Sequence, residues 1–99
     1  AVAGDTQYVV HQVKYSDLDQ NRHVNNARYV EWIFDLLDQD LLEKSIPSFF
    51  SIDYKHEVKS GDTVELRKMK LENEGLAFAI EGSLSDSDKI CVRSKIIFQ

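Results

Sequence analysis

Alternation rules the second half of the chain. In SFFSIDYKHEV, residues 48–58, the positions Phe50, Ile52, Tyr54, His56 and Val58 fall on one side. A period of two is the mark of a strand with one buried face. KSGD (59–62) reads as a turn, and TVELRKMKL (63–71) as a strand with weaker alternation. NEG (73–75) is another turn. LAFAIEGSL (76–84) has the cleanest pattern, with Leu76, Phe78, Ile80, Gly82 and Leu84 on one side. SDSDK (85–89) turns the chain into a last strand, ICVRSKIIF (90–98). Near the start, QYVVHQVKY (7–15) is rich in β-formers and reads as a strand with Val9, His11, Val13 and Tyr15 on one face; AVAGDT before it reads as a loose leader.

Between these strands the period changes. From Tyr29 the apolar residues are Val30, Trp32, Ile33, Phe34, Leu36, Leu37, Leu41 and Leu42. Their spacing is helical and the stripe is wide, which predicts a mostly buried helix. Asn25 or Asn26 suits its N-cap, because a short amide side chain can accept from free N–H groups of the first turn. Pro47 disfavours helical geometry at Ile46 and ends it. The order is strand, long helix, then four antiparallel strands joined by short turns. That is an α+β domain whose sheet needs a large cover. One buried helix is the available cover, so the expected architecture is the hotdog: an antiparallel β-sheet wrapped around one long central helix, as a single domain over residues 1–99.

Composition narrows the partners. A net charge of −5 argues against nucleic acid, which needs a concentrated basic surface. The apolar runs are only a few residues long, far short of a membrane span. A single cysteine, Cys91, excludes an internal disulfide framework and a cysteine-rich metal site, and fits a reducing, cytoplasmic setting. Its neighbours Ile90 and Val92 mark it as a packed thiol. Asp86 and Asp88 lack further oxygen ligands at calcium-loop spacing, so they read as a turn and not as a metal site. His11 and His56 have no partner in the sequence and read as structural.

One stretch stands apart. DLDQNRHVNNARYVEW, residues 17–32, gathers carboxylates, amides and a histidine where the helix is about to start. It resembles the catalytic motif of acyl-acyl-carrier-protein thioesterases, D-L-D-x-N-x-H-V-N-N-x-x-Y, at Asp17, Leu18, Asp19, Asn21, His23, Val24, Asn25, Asn26 and Tyr29. YKHEV (54–58) resembles the family's second motif, whose glutamate falls on Glu57. A shorter form of the first motif is shared with other hotdog thioesterases, including the 4-hydroxybenzoyl-CoA type. Plant members carry a cysteine directly after the glutamate; here the position is Val58, which removes a cysteine nucleophile there. Family members hold two hotdog repeats per chain, and these motifs match the C-terminal, catalytic one.

The resemblance implies a thioester hydrolase releasing fatty acid from acyl-acyl carrier protein, with no cofactor and no metal. It implies catalytic roles for Asp19, Asn21, His23 and Glu57, and a substrate-binding position for Asn25 and Asn26. The chemistry agrees. A thioester's leaving thiol has a pKa near ~8.5, so departure needs little acid assistance. What the reaction needs is an activated water and a polarised carbonyl. Asp19 or Glu57 would activate water, Asn21 and His23 would position it or stabilise charge, and the helix N-terminus suits a developing oxyanion. Asp17 reads as a loop or capping residue, and Asn25 and Asn26 as cap and brace. Three other readings compete: an acyl-CoA thioesterase, a non-catalytic acyl-binding or dimerisation half, and a hotdog dehydratase. Expected partners are the acyl carrier protein or acyl-CoA substrate and a second copy or second repeat; Lys55, Lys59, Arg67, Lys68 and Lys70 read as a solvated sheet face, with a docking patch there, or a docking surface on the other repeat, as the alternatives. If the source is a plant, the expected compartment is the plastid stroma.

Overall fold

The computed structural model describes residues 2–71 and 75–98, with side chains described from residue 9 onward. Strand β1 spans Val2–Gln12, α1 Asn26–Asp35, α2 Gln39–Lys44, β2 Pro47–Tyr54, β3 Thr63–Leu71, β4 Leu76–Leu84 and β5 Ile90–Phe98, with a short 3-10 turn at Tyr15–Asp17. The strands form one sheet in the order β1-β3-β4-β5-β2, every neighbouring pair antiparallel. Helix α1 buries Tyr29, Trp32 and Ile33 in a common core with Val64, Leu66, Ile80, Val92 and Ile96. This is the hotdog arrangement that the alternation and the single helical stretch required.

Three features differ from the sequence expectation. The helical stretch is two helices. α1 stops at Asp35, and Asp38 starts α2 by accepting from the Asp40 N–H (2.9 Å). A short carboxylate favours that capped start over continuing the helix. Residues 2–6 belong to β1, where Ala3 opposes Lys70 and Thr6 opposes Met69 across a register shift; pairing with β3 overrides the weak local pattern. Conversely, β1 ends at Gln12, so Tyr15 leaves the strand face and is 90% exposed. The turn expected at 73–75 lies outside the described residues, apart from Gly75.

The third difference shapes the site. β2 ends at Tyr54, and the next two N–H groups, of Lys55 and His56, both point at the Cys91 carbonyl (2.8 and 3.4 Å). Two residues facing one is a bulge, and a bulge bends the strand. The alternation written in the sequence therefore breaks before Glu57. Gly82, in the middle of β4, marks a close approach: a Cβ there would sit 2.8 Å from Val92 Cγ1 and 3.0 Å from Leu66 Cδ2. Only glycine fits that approach without displacing neighbours.

Candidate active site

The loop from Asp17 to Asn25 is held almost entirely by its own backbone. The Asp19 N–H donates to the His23 carbonyl (2.8 Å) and the Arg22 N–H to the Asp19 carbonyl (3.1 Å). Arg22 takes a φ of 64°, the left-handed conformation that closes so short a loop. Asp19 braces it from inside: its Oδ1 accepts from the N–H groups of Asn21 (2.8 Å) and His23 (3.1 Å). The side chain is thus both a loop brace and an exposed carboxylate.

A two-residue ladder then joins the two motifs. The Val24 N–H donates to the Val58 carbonyl (2.9 Å), and His23 bridges Lys59. This carries Glu57 to His23, with Oε2 3.7 Å from Nε2. That is ion-pair distance, longer than a hydrogen bond. Val58 itself is buried, which anchors the segment on the core side while Glu57 points outward. The turn after it is closed by the Lys59 N–H donating to Asp62 Oδ2 (2.8 Å), with Gly61 at φ 88°.

Helix α1 begins at the same place. Asn25 is the N-cap, its Oδ1 accepting from the Ala27 N–H (2.9 Å) while its carbonyl takes the Arg28 N–H (2.9 Å). Of the first three helical N–H groups, only that of Asn26 has no acceptor among the described residues. Asn26 lines a groove of about 340 Å³ together with Asp19, His23, Tyr54, Glu57 and Val58. A free N–H at the positive end of a helix dipole, on a residue lining a groove that also holds two carboxylates and a histidine, is equipped to receive a polarised carbonyl oxygen.

The predicted residues do not all meet. Asp19, His23, Glu57 and Asn26 line the groove. Asn21 sits on the exposed turn of the loop and touches the site through its N–H to Asp19. Asn25 lines a second depression, with Tyr15, Arg22 and Gln20, on the other side of Asp19. Three groove residues escaped the sequence reading: Tyr54, Lys55 and His56. Alternation had placed Tyr54 and His56 on the buried face. The bulge after Tyr54 turns His56 out, and the Tyr54 hydroxyl donates to the Asn26 carbonyl (3.4 Å). Their adjacency to Glu57 was the available signal. Of the basic patch, Arg67 faces Glu81 (3.7 Å) and the Lys68 ammonium lies 5.2 Å from the Phe78 ring centre. Among the described residues no group of three or more histidines, cysteines and carboxylates is placed to hold a metal.

Cys91 is fully buried, its thiol donating to the Gly82 carbonyl (3.4 Å); burial pushes its pKa up to about 11, the opposite of a nucleophile's tuning. His11 has a partner after all. Its Nε2 lies 2.9 Å from Asp17 Oδ2, and its ring stacks 4.3 Å from that of Trp32.

The fold is that of the hotdog thioesterases. Over residues 3–99 the chain matches the acyl-ACP thioesterase C-terminal domain, and it belongs to that family. It is 39% identical over 44 residues to dodecanoyl-[acyl-carrier-protein] hydrolase, chloroplastic, of Umbellularia californica, a match covering 44% of this chain and 12% of that protein. The crystal structure of an acyl-ACP thioesterase from Bacteroides thetaiotaomicron superposes with a TM-score of 0.82 at 32% identity, covering 92% of this chain and 36% of that one. An acyl-CoA hydrolase from Staphylococcus aureus, in complex with butyryl coenzyme A, shares the fold (TM-score 0.79, 14% identity, 94% of this chain and 61% of that one). The chain thus spans about a third of its bacterial acyl-ACP relative, 36% of its length.

Proposed function

We propose that this domain carries the catalytic half of a thioesterase that hydrolyses acyl-acyl carrier protein, releasing a fatty acid and the carrier thiol. The observation that supports it most is the convergence of Asp19, His23 and Glu57 on one groove at the start of α1. In the proposed reaction the thioester oxygen rests against the Asn26 N–H. A carboxylate, Asp19 or Glu57, takes a proton from water as the oxygen attacks the carbonyl carbon. The tetrahedral oxyanion collapses, the C–S bond breaks, and the proton passes to the departing thiolate. His23 holds the water or steadies the charge on Glu57. Asn21 acts through the loop, by fixing the Asp19 carboxylate with its N–H. No cofactor enters this scheme.

Family membership and the plant relative's name favour the carrier-protein thioester over a CoA thioester. Stroma or cytosol would be the working compartment, the curated plant relatives being named chloroplastic. The measurement that tests the reading is free-thiol release from a panel of acyl-carrier and acyl-CoA thioesters. Preference for the carrier substrate supports it. Hydrolysis of acyl-CoA alone moves the assignment to an acyl-CoA thioesterase, and water loss from a 3-hydroxyacyl substrate moves it to a dehydratase.

Assembly is part of the proposal. β2 is an edge strand, and it exposes Phe49, Phe50 and Tyr54, with Ile46 just before it 85% exposed. An apolar open edge invites pairing. The core beneath is filled by side chains such as Ile33 and Ile96, both fully buried, so a long acyl chain needs apolar surface from outside it. A second hotdog unit against this edge, another copy or a second repeat, would supply that surface. Sedimentation equilibrium decides between the states: a monomer that hydrolyses thioesters efficiently would overturn the assembly reading.

A further inference from the structure

The proposed reaction makes no use of His11 and Asp17, yet their contacts lead straight to it. Asp17 is only 6% exposed. Its Oδ2 takes two donors, the Lys14 N–H at 2.8 Å and His11 Nε2 at 2.9 Å, and its own N–H donates to the Lys14 carbonyl (2.9 Å). The carboxylate therefore clamps the 3-10 turn to the end of β1. The backbone of the same residue reaches the other way: the Asp17 carbonyl accepts from the N–H of Asn25 (2.9 Å), the residue that caps α1. One residue thus holds both ends of the loop that presents Asp19 and His23, and Leu18 bridges Val24 between them. His11 is fixed in turn by its ring, stacked 4.3 Å from Trp32 of α1, which packs on Tyr29 (5.2 Å), which packs on Tyr54 (5.4 Å) in the groove wall.

We propose that His11 and Asp17 are positioning residues for the catalytic loop, setting its register against the start of α1. The proposal rests on the thioesterase reading for its consequence, but not for its structure. Bonds within a loop fix its shape but not its placement, so a loop with an exposed tip moves as a unit unless its ends are pinned, and a displacement of about 1 Å at a reacting group is enough to lower turnover on the order of 100-fold. A buried carboxylate with two donors pins one end rigidly, because leaving either donor unpaired is costly. His11 matters because it turns a single local tie to Lys14 into a fork with one prong on β1.

Amide hydrogen exchange on the full chain is the deciding measurement, beside hydrolysis kinetics. In His11→Ala the N–H groups of Asp19, Val24 and Asn25 should exchange faster by on the order of tenfold, while those of β4 and β5 change little. His11→Gln, whose side-chain amide can still donate to Asp17, should restore most of the protection. Ile96→Val, a packing loss in β5 chosen to lower the melting temperature similarly, should not single out the loop. On the folded enzyme, kcat should fall in His11→Ala with KM nearly unchanged and recover in His11→Gln. If His11→Ala speeds loop and sheet amides by one common factor, as Ile96→Val does, the pair is a stability element only and the proposal fails. Should His11→Ala not fold, Asp17→Asn, which keeps an oxygen for the Lys14 N–H, carries the same comparison. Absence of hydrolysis even when the second hotdog unit is supplied sinks the thioesterase reading, while the exchange pattern still decides the role of the pair.

Discussion

Two histidines of this chain each face a carboxylate, and the two pairs are built in opposite ways. His11 and Asp17 meet at 2.9 Å, with side chains 23% and 8% exposed. His23 and Glu57 stand 3.7 Å apart, 39% and 63% exposed. Burial separates their roles. Inside, an unpaired carboxylate is costly, so the Asp17 oxygen is fully engaged and its geometry fixed. At the surface water competes for every donor, so the second pair is loose and free to exchange partners with a substrate or a water. Rigidity belongs to the pair that holds the loop, and availability to the pair that faces the groove.

Asp19→Asn should produce the largest effect. The amide oxygen can keep the bonds to the Asn21 and His23 N–H groups, so the loop should remain closed. What disappears is the negative charge and its basicity. General-base catalysis contributes about 10²–10⁴-fold, and thioester hydrolysis should drop within that range with the melting temperature unchanged. Full activity in the variant would reduce Asp19 to the brace that its hydrogen bonds already make it.

Asp17→Ala attacks the other pair and should show mainly in stability. It strands the Lys14 N–H and His11 in a partly buried place, a loss of about 1–3 kcal/mol by denaturant unfolding. The same group makes stability depend on pH. Burial pushes the Asp17 carboxyl up, but the His11 hydrogen bond and the Lys14 N–H together outweigh it, and its pKa ends below the ordinary 3.8. A lowered carboxylate stabilises the fold above its unfolded pKa, and that share is lost as pH falls through the folded pKa. Below about pH 4 the parent should therefore lose stability more steeply than Asp17→Asn. Parallel acid-unfolding curves would mean that the carboxylate's charge contributes nothing.

The same contrast explains what could be read from the sequence. β3, β4 and β5 were legible to the residue, because each is an alternating run bounded by turn residues. Part of the groove lining was legible through the family resemblance: Asp19, His23, Asn26 and Glu57 were named before their meeting was visible, whereas Asn21 and Asn25, named with them, lie outside it. The Asp17–His11 pair was not, because six residues and a strand end separate the two and nothing local signals a contact made by tertiary packing. The groove position of His56 was hidden by the bulge that Lys55 and His56 form on the Cys91 carbonyl, and that of Tyr54 by the exposure of β2 at the sheet edge. The break between α1 and α2 did leave one, Asp38 inside an apolar helical stripe, but the stripe's continuity outweighed it.

Cys91→Ser probes a buried group that belongs to neither pair. A hydroxyl can still donate to the Gly82 carbonyl, but it sits among apolar neighbours and is harder to bury than a thiol. The expected cost is about 1 kcal/mol, with kcat unchanged. With burial pushing the thiol up to about 11, thiol-modifying reagents at pH 8 should react slowly with the native protein and fully after denaturation. Rapid native-state modification accompanied by loss of turnover would place Cys91 in the chemistry.

Glu57→Gln should move stability least of all, and that near-zero value is what sharpens the contrast. Glu57 is 63% exposed, and its ion-pair partner among the described residues is 3.7 Å away. Long, solvated pairs of this kind contribute about 0–1 kcal/mol, and surface substitutions fall mostly within about 0.5 kcal/mol of the parent. The segment is held by other bonds, the Val24 N–H to the Val58 carbonyl and the buried Val58 side chain, and these are untouched by the change. Melting should thus be indistinguishable from the parent. Turnover divides two cases at the same stability. A loss comparable to that of Asp19→Asn assigns the two carboxylates a shared role in activating water, whereas full turnover confines the base to Asp19. A stability loss as large as that of Asp17→Ala would erase the distinction, because the exposed pair would then be holding the fold as firmly as the buried one.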